Sequence, residues 1–323
     1  MSFRRKLSVI IVLTIFGVAV PMFWLPQTPA KVHATFLTEA AALRDTVDIL
    51  RGSECTQNAV GAFKRAVERY SSKGFNFDLS KFPRPRSGIY SFDSASGLVA
   101  ALPHQLCDTP HAYEFNCFDT VITLADGLLS TSLRPDDLAG PFLVQYTPTT
   151  NSGSIVRKDT ARDAFTLAYP QWYLAATDSA FPAVTRDARI SLTAIMFRWH
   201  VLPPSTTEEA LRSGVLEALR ESWRHHDLKF PAGFEIVLCH EVSLQNRMFI
   251  TAHAGLLFPH KNGYVYIEKS GGSGPFVRLD FEDRAELLIW LGGMFRGAEK
   301  LGYTHHFATF NDTKIEVLEF LQK

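Results

Sequence analysis

Phe249-Ile-Thr-Ala-His253-Ala-Gly-Leu-Leu-Phe258, a turn at Lys261-Asn-Gly263 and Tyr264-Val-Tyr-Ile-Glu268-Lys269 decide how this chain reads. Apolar residues recur with a period of two on either side of Asn-Gly, which is hairpin chemistry, so the stretch predicts two antiparallel strands. The return strand brings Glu268 roughly level with His253, and alternation lets the carboxylate share the face of the imidazole. Ala252, Ala254 and Gly255 flank the histidine with small side chains, leaving room for another chain to lie across the strand. Far upstream, Tyr113-Glu-Phe-Asn-Cys117-Phe-Asp-Thr120 puts a cysteine where a loop turns into an apolar helix marked by Val121, Ile122, Leu124, Ala125, Leu128 and Leu129. The three side chains fit three roles. A helix N-terminus favours thiolate over thiol, an imidazole takes and returns the proton, and a third polar group orients the imidazole.

Working outward, helical spacing predicts helices over 36–51 and 53–71, and a short one over 92–106 ended near Pro103. Lys73 to Ser87, with Gly74, Pro83 and Pro85, reads as a linker or long surface loop. Pro141 to Tyr146 suggests a strand, while 164–176 and 191–197 are ambiguous between helix and strand. Ser205-Thr-Thr-Glu208 is a capping-box pattern opening an amphipathic helix through Trp223. Strands follow over 234–241, 247–258, 264–269 and 277–279. A helix over 281–301, a strand over 304–310, a turn at Asn311-Asp312 and a closing strand complete the pattern. Helices first and a meander of strands after them is an α+β architecture.

The chain opens with Arg4-Arg5-Lys6 and an apolar run from Leu7 to Leu25, a basic flank and a hydrophobic segment of the kind that directs export. Val32-His33-Ala34 offers small residues for peptidase cleavage after Ala34. The run is also near the ~20 residues that span a bilayer, so a cleaved signal peptide and a retained anchor both stay open. Either way the rest is expected in the periplasm or outside the cell, meeting the membrane only through this segment, as an anchor in the inner membrane if retained. The formal net charge of +0 over 323 residues gives no electrostatic case for nucleic acid. Outside the cytoplasm, 4 cysteines permit disulfides. The separate roles read for Cys117 and Cys239 leave Cys55 and Cys107 as the expected bridge, with reduced thiols the alternative.

No other constellation carries comparable chemistry. Cys239 and His240 are adjacent on a strand and point to opposite faces. His225-His226 and His305-His306 have no carboxylate or cysteine at ligand spacing, so no metal and no cofactor is expected. Ser270-Gly-Gly-Ser-Gly274 lacks the lysine and following helix of a phosphate loop and reads as a flexible loop near Glu268.

Ala252-His253-Ala254-Gly255-Leu256-Leu257, the turn, and Val265-Tyr266-Ile267-Glu268-Lys269 resemble the histidine segment of NlpC-type cell-wall peptidases. Together with Asn116-Cys117 they are similar to the bacterial domain-of-unknown-function family numbered 4300, secreted or lipid-anchored proteins grouped with the papain-like hydrolases. The resemblance runs in patches from Asn116 to Asp280. It implies a papain-like (NlpC-type) fold over 88–323, following an N-terminal segment to residue 34 and a helical region with linker over 35–87. The spacing between Cys117 and His253 is long for compact peptidases and requires an insertion over about 130–229. The chain departs from the NlpC pattern Asp-Cys-Ser-Gly with Asn-Cys-Phe-Asp, and Asp119 opposes a thiolate if it points at Cys117. The implied function is a Cys117–His253–Glu268 hydrolase of amide bonds in cell-wall peptides, peptidoglycan or another peptide substrate. The Cys117 N–H and the Asn116 side chain would stabilise the oxyanion. A non-catalytic envelope binding protein and a lipid-active acyltransferase on the same fold are the alternatives.

Overall fold

A computed structural model describes residues 32–72, 89–101, 116–134, 140–143, 155–158, 186–197, 200–202, 207, 210–244, 248–261, 263–270, 274–295 and 303–318. Residues 31–323 form one compact unit. Its centre is an antiparallel sheet whose strands run in the order β11 (Lys314–Val317), β10 (His305–Phe310), β6 (Glu235–Ser243), β7 (Met248–His260), β8 (Gly263–Lys269), β9 (Phe276–Phe281), β1 (Val32–Phe36) and β2 (Ile89–Phe92). A short β5 (His200–Val201) pairs with β7, and β3 (Gly140–Leu143) pairs with β4 (Ile155–Lys158) in a separate ribbon. Helices α1 (Ala40–Arg51), α2 (Gln57–Ser72), α4 (Cys117–Leu124), α5 (Arg186–Phe197) and α6 (Leu211–His225) share a core with one face of the sheet. Helices α3 (Ala95–Ala101) and α7 (Arg284–Met294) cover the other. Strand alternation explains the sorting: Ala254, Leu256, Phe258, Val265 and Ile267 enter the first core, Leu257, Tyr266 and Leu279 the second. The α+β reading therefore holds, with helices on both faces.

Several element boundaries differ from the sequence expectation. Val32-His33-Ala34 is a strand, buried between β9 and β2, and Phe36 ends that strand instead of opening a helix. Phe92 belongs to β2 and Phe281 to β9, so the following helices start later, at Ala95 and Arg284. Asp283 starts α7 by accepting from the Ala285 N–H. The amphipathic helix begins at Leu211, with Thr207 Oγ1 accepting from Ala210 N at 3.1 Å. Ser205 and Glu208 of the expected capping box lie outside the described residues, as do 73–87 and 164–176. Residues 191–197 resolve as helix. Ser130 and Lys229, at the two ends of the span expected as an insertion, exchange backbone hydrogen bonds of 3.4 and 2.9 Å.

The expected Cys55 bridge is not formed. Cys55 is a free, buried thiol packed in the first core, and burial raises its pKa to about 11. Cys107 lies outside the described residues. Cys117 and Cys239 are also free and buried.

One feature of the sheet prepares the site. β7 and β8 pair from His260↔Gly263 only as far as Leu256↔Ile267. Beyond that, β7 continues with β6, and β8 continues with β9 to Lys269. The strands part, and β5 meets the open edge of β7 only at Phe249 and Met248. His253 and Glu268 lie on the two prongs of this fork, and α4 packs across both strands.

Candidate active site

Cys117 is the first residue of α4, and the cap explains why the helix begins there. Asn116 Oδ1 accepts from the N–H groups of Phe118 (2.9 Å) and Asp119 (3.0 Å), while Asp119 Oδ2 accepts from Asn116 N at 2.9 Å. This reciprocal capping box satisfies three amides and does not use the Cys117 N–H. Asp119 therefore turns back into the cap, which removes the conflict with a thiolate raised by its sequence position. Phe118, Val121, Ile122 and Leu124 anchor the helix, each at most 1% exposed. Replacing a phenylalanine so buried with alanine typically costs about 3–5 kcal/mol, so the helix start is held firmly.

His253 sits at an irregularity in β7. Cys239 is its register partner on β6, but His240 pairs with Thr251, so Ala252 is an extra residue. Bulges of this kind re-aim side chains and recur next to active sites. Nε2 of His253 donates to Glu268 Oε2 at 2.7 Å, and the imidazole is also hydrogen-bonded to the Cys117 thiol. With Nε2 engaged, Nδ1 is the nitrogen left for sulfur. The structure thus joins Cys117, His253 and Glu268 in series. Burial by itself would lower the imidazole pKa; the Cys117 and Glu268 charges and hydrogen bonds outweigh it and raise it to about 10.

Glu268 is fully buried, a condition a carboxylate tolerates only with partners. Besides His253, Trp290 Nε1 of α7 donates to its Oε1 at 3.2 Å. The Tyr266 hydroxyl lies near the same carboxylate, yet it is buried with no hydrogen bond formed among the described residues. Burial, then the neighbouring Glu268 and Cys239 charges, pushes its pKa up. The phenol lies directly over Gly255, where a Cβ would overlap it, so a glycine is required at that point of the fork. Cys239 faces the same cluster; burial first, then the Glu268 and Cys117 charges, lifts its thiol well above the ordinary range. Its neighbour His240 points to the other face and bonds Thr309 Oγ1 at 2.9 Å and Thr251 Oγ1 at 3.1 Å.

The sequence reading named Cys117, His253, Glu268 and Asn116, and all four meet at the N-terminus of α4 or across the fork. It missed Trp290, for which no local signal exists, since its approach to Glu268 depends on how α7 docks. Tyr266 was legible, being two residues from Glu268 on the same strand face. Among the described residues no three histidine, cysteine, aspartate or glutamate side chains gather as a metal site. Among them, too, no helix is long and apolar enough to cross a membrane.

Residues 204–315 match a family model. Its description is "Domain of unknown function (DUF4300)". The match takes in α6 and the strands from β6 to β10, including His253, Glu268 and Trp290, and stops short of Cys117 on the N-terminal side. Among curated proteins and among solved structures nothing matches the chain significantly.

Proposed function

We propose that this chain is a papain-like cysteine hydrolase that cleaves amide bonds outside the cytoplasm, with peptides of the bacterial cell wall as its substrate class. The observation that carries the reading is the buried series Cys117–His253–Glu268 at the capped start of α4. The export-type N-terminal run and the resemblance to cell-wall peptidases support the location and the substrate.

In the first half-reaction His253, its pKa raised to about 10, already holds the Cys117 proton at neutral pH as sulfur forms a bond to the amide carbonyl carbon. The carbonyl electron pair moves to oxygen, where the Cys117 N–H and the Asn116 side-chain amide stabilise it. When the oxyanion collapses, the C–N bond breaks and His253 returns the proton to the leaving amine. A thioester remains on Cys117. In the second half-reaction His253 takes a proton from water, hydroxide adds to the thioester, and the C–S bond breaks to release a carboxylic acid and restore the thiol. Glu268 stabilises the imidazolium formed in each half and, held by Trp290, fixes the ring orientation.

The test has two readouts. Iodoacetamide should label Cys117 at neutral pH, and peptidoglycan fragments should release new amines with wild type and none with Cys117→Ala. Hydrolysis by Cys117→Ala at the wild-type rate would refute the mechanism. A Cys117 that resists labelling, in a protein that binds the fragments intact, would assign the fold to binding instead.

A further inference from the structure

The Tyr266 phenol has no task in the steps that Cys117, His253 and Glu268 perform. Tyr266 and Glu268 are two residues apart on β8, so their side chains leave the strand on the same face, about 7 Å apart at the backbone. Both are fully buried. The phenol reaches across the fork to lie over Gly255 of β7, where the lack of a Cβ gives it room. Among the described residues its oxygen has no hydrogen-bond partner. Apart from burial, the charges acting on it are those of Glu268 first, then Cys239 and Cys117. A buried hydroxyl left unpaired is costly, and native proteins keep few of them. This one borders the carboxylate that orients the imidazole.

Glu268 can accept a further donor. Its two oxygens offer about four lone-pair sites, and His253 Nε2 at 2.7 Å and Trp290 Nε1 at 3.2 Å occupy two of them. At Glu268 the strand is laddered to Val277 of β9 but no longer to β7, whose pairing ends at Leu256↔Ile267. The charge beside this carboxylate changes during the reaction. At rest the imidazolium balances it. Once His253 has passed its proton to the leaving amine, the thioester and the imidazole are both neutral, and Glu268 is a buried anion with no cation against it. Such an anion takes up a proton unless further donors hold it ionised. With Glu268 protonated, Nε2 becomes the acceptor and the ring proton moves to Nδ1, which then takes none from water.

We propose that Tyr266 is a positioning residue for the second half-reaction: in the thioester state its hydroxyl donates to Glu268, keeps the carboxylate ionised and leaves Nδ1 of His253 free to take the proton from water. This rests on the hydrolase reading of Cys117 and His253, and gives its second half a donor that the first half does not need. Burial and the Glu268 charge keep the phenol protonated, so the donor is present throughout the working pH range.

The test uses Tyr266→Phe, which keeps the ring over Gly255 and removes only the hydroxyl. Acetylation of Cys117 by 4-nitrophenyl acetate at neutral pH, and the later loss of the acetyl group, are each followed by intact mass against Cys117→Ala. Acetylation should run at the wild-type rate while deacetylation slows about tenfold, the order of one hydrogen bond to a charged group. A second readout isolates the ionisation. Methyl methanethiosulfonate caps Cys117 as a methyl disulfide and releases methanesulfinate, leaving sulfur neutral as in the thioester. Carbon-13 NMR of labelled histidine then follows His253 in the capped protein. Without the phenol its titration should rise by about one pH unit, because the carboxylate holds the imidazole proton more tightly. Cys239 on β6 also faces the pair, but its thiol is raised well above the ordinary range and stays neutral. Equal deacetylation in the two proteins, both steps slowed alike, or a His253 titration that does not rise overturns the proposal and leaves the hydrolase reading standing. Failure of both reagents to modify Cys117 overturns the hydrolase reading itself, and the inference falls with it.

Discussion

Replacing Glu268 with glutamine keeps the shape of the side chain and removes its charge. In the structure the carboxylate is fully buried and 2.7 Å from a histidine that is 3% exposed, so water screens this pair little. Coulomb's law at an effective dielectric constant near 20 gives about 4 kcal/mol for unit charges ~4 Å apart. Removing one partner of a buried pair costs about 3–5 kcal/mol in measured cases. Glutamine retains a hydrogen-bonding oxygen, so the lower end, about 3 kcal/mol, is the expectation. The sign with pH follows from the raised imidazole. Its contribution to stability is fully present below the ordinary histidine pKa of 6.5 and is lost as pH rises through about 10. The stability gap between wild type and Glu268→Gln, measured by urea unfolding, should therefore be widest at about pH 6.5 and below, shrink as pH rises from there, and be gone above about pH 10. Carbon-13 NMR of labelled histidine should show the His253 titration moving down from about 10 towards the ordinary range. A His253 titration unchanged by the substitution would refute the pairing argument.

Three further outcomes are expected. Cys117→Ala should abolish amide hydrolysis while shifting unfolding by only about 1 kcal/mol, since it deletes one buried sulfur; steady-state kinetics and urea melts check both halves. Trp290→Phe removes the donor to Glu268 Oε1, and a hydrogen bond to a charged group is worth about 1.5–3 kcal/mol, so kcat should fall ~10-fold or more with KM unchanged. A rise in KM at constant kcat would show that Trp290 serves substrate binding and not the orientation of Glu268. Gly255→Ala drives a methyl into the Tyr266 phenol and should lower stability by about 1–3 kcal/mol; an unchanged melting temperature would contradict the packing at the fork.

The site was legible in the sequence wherever chemistry is local. The alternation of Phe249 to Lys269 fixed which side chains share a face, and the Asn-Gly turn fixed the register, so His253 and Glu268 could be paired before any fold was seen. Asn116 and Asp119 stand at capping-box spacing, yet Asp119 was read as a charge near sulfur, because the same four residues permit either rotamer. Trp290 was beyond reach, since an indole 22 residues from Glu268 gains its role only when α7 settles on the second face of the sheet. Cys55 shows the opposite error: compartment and counting suggested a bridge, while its apolar neighbours on α1 and α2 gave the thiol a place in the core. Val32-His33-Ala34 carried two readings at once, because small alternating residues suit a peptidase as well as a strand.

That strand has a consequence for how the chain assembles. β1 lies between β9 and β2, so residues 32–36 pair directly with 277–281. The first strand made must wait for the last third of the chain before its inner ladder can form, and contacts so distant in sequence slow the folding search. Until then Val32, Ala34 and Phe36 remain an unpaired apolar edge, the kind of surface that holdase chaperones bind. Any peptidase cut after Ala34 would leave only Thr35 and Phe36 of β1, and β2 would lose its neighbour. A cut at that point would therefore remove residues that the sheet needs, whereas a cut upstream of Val32 would leave all five in place.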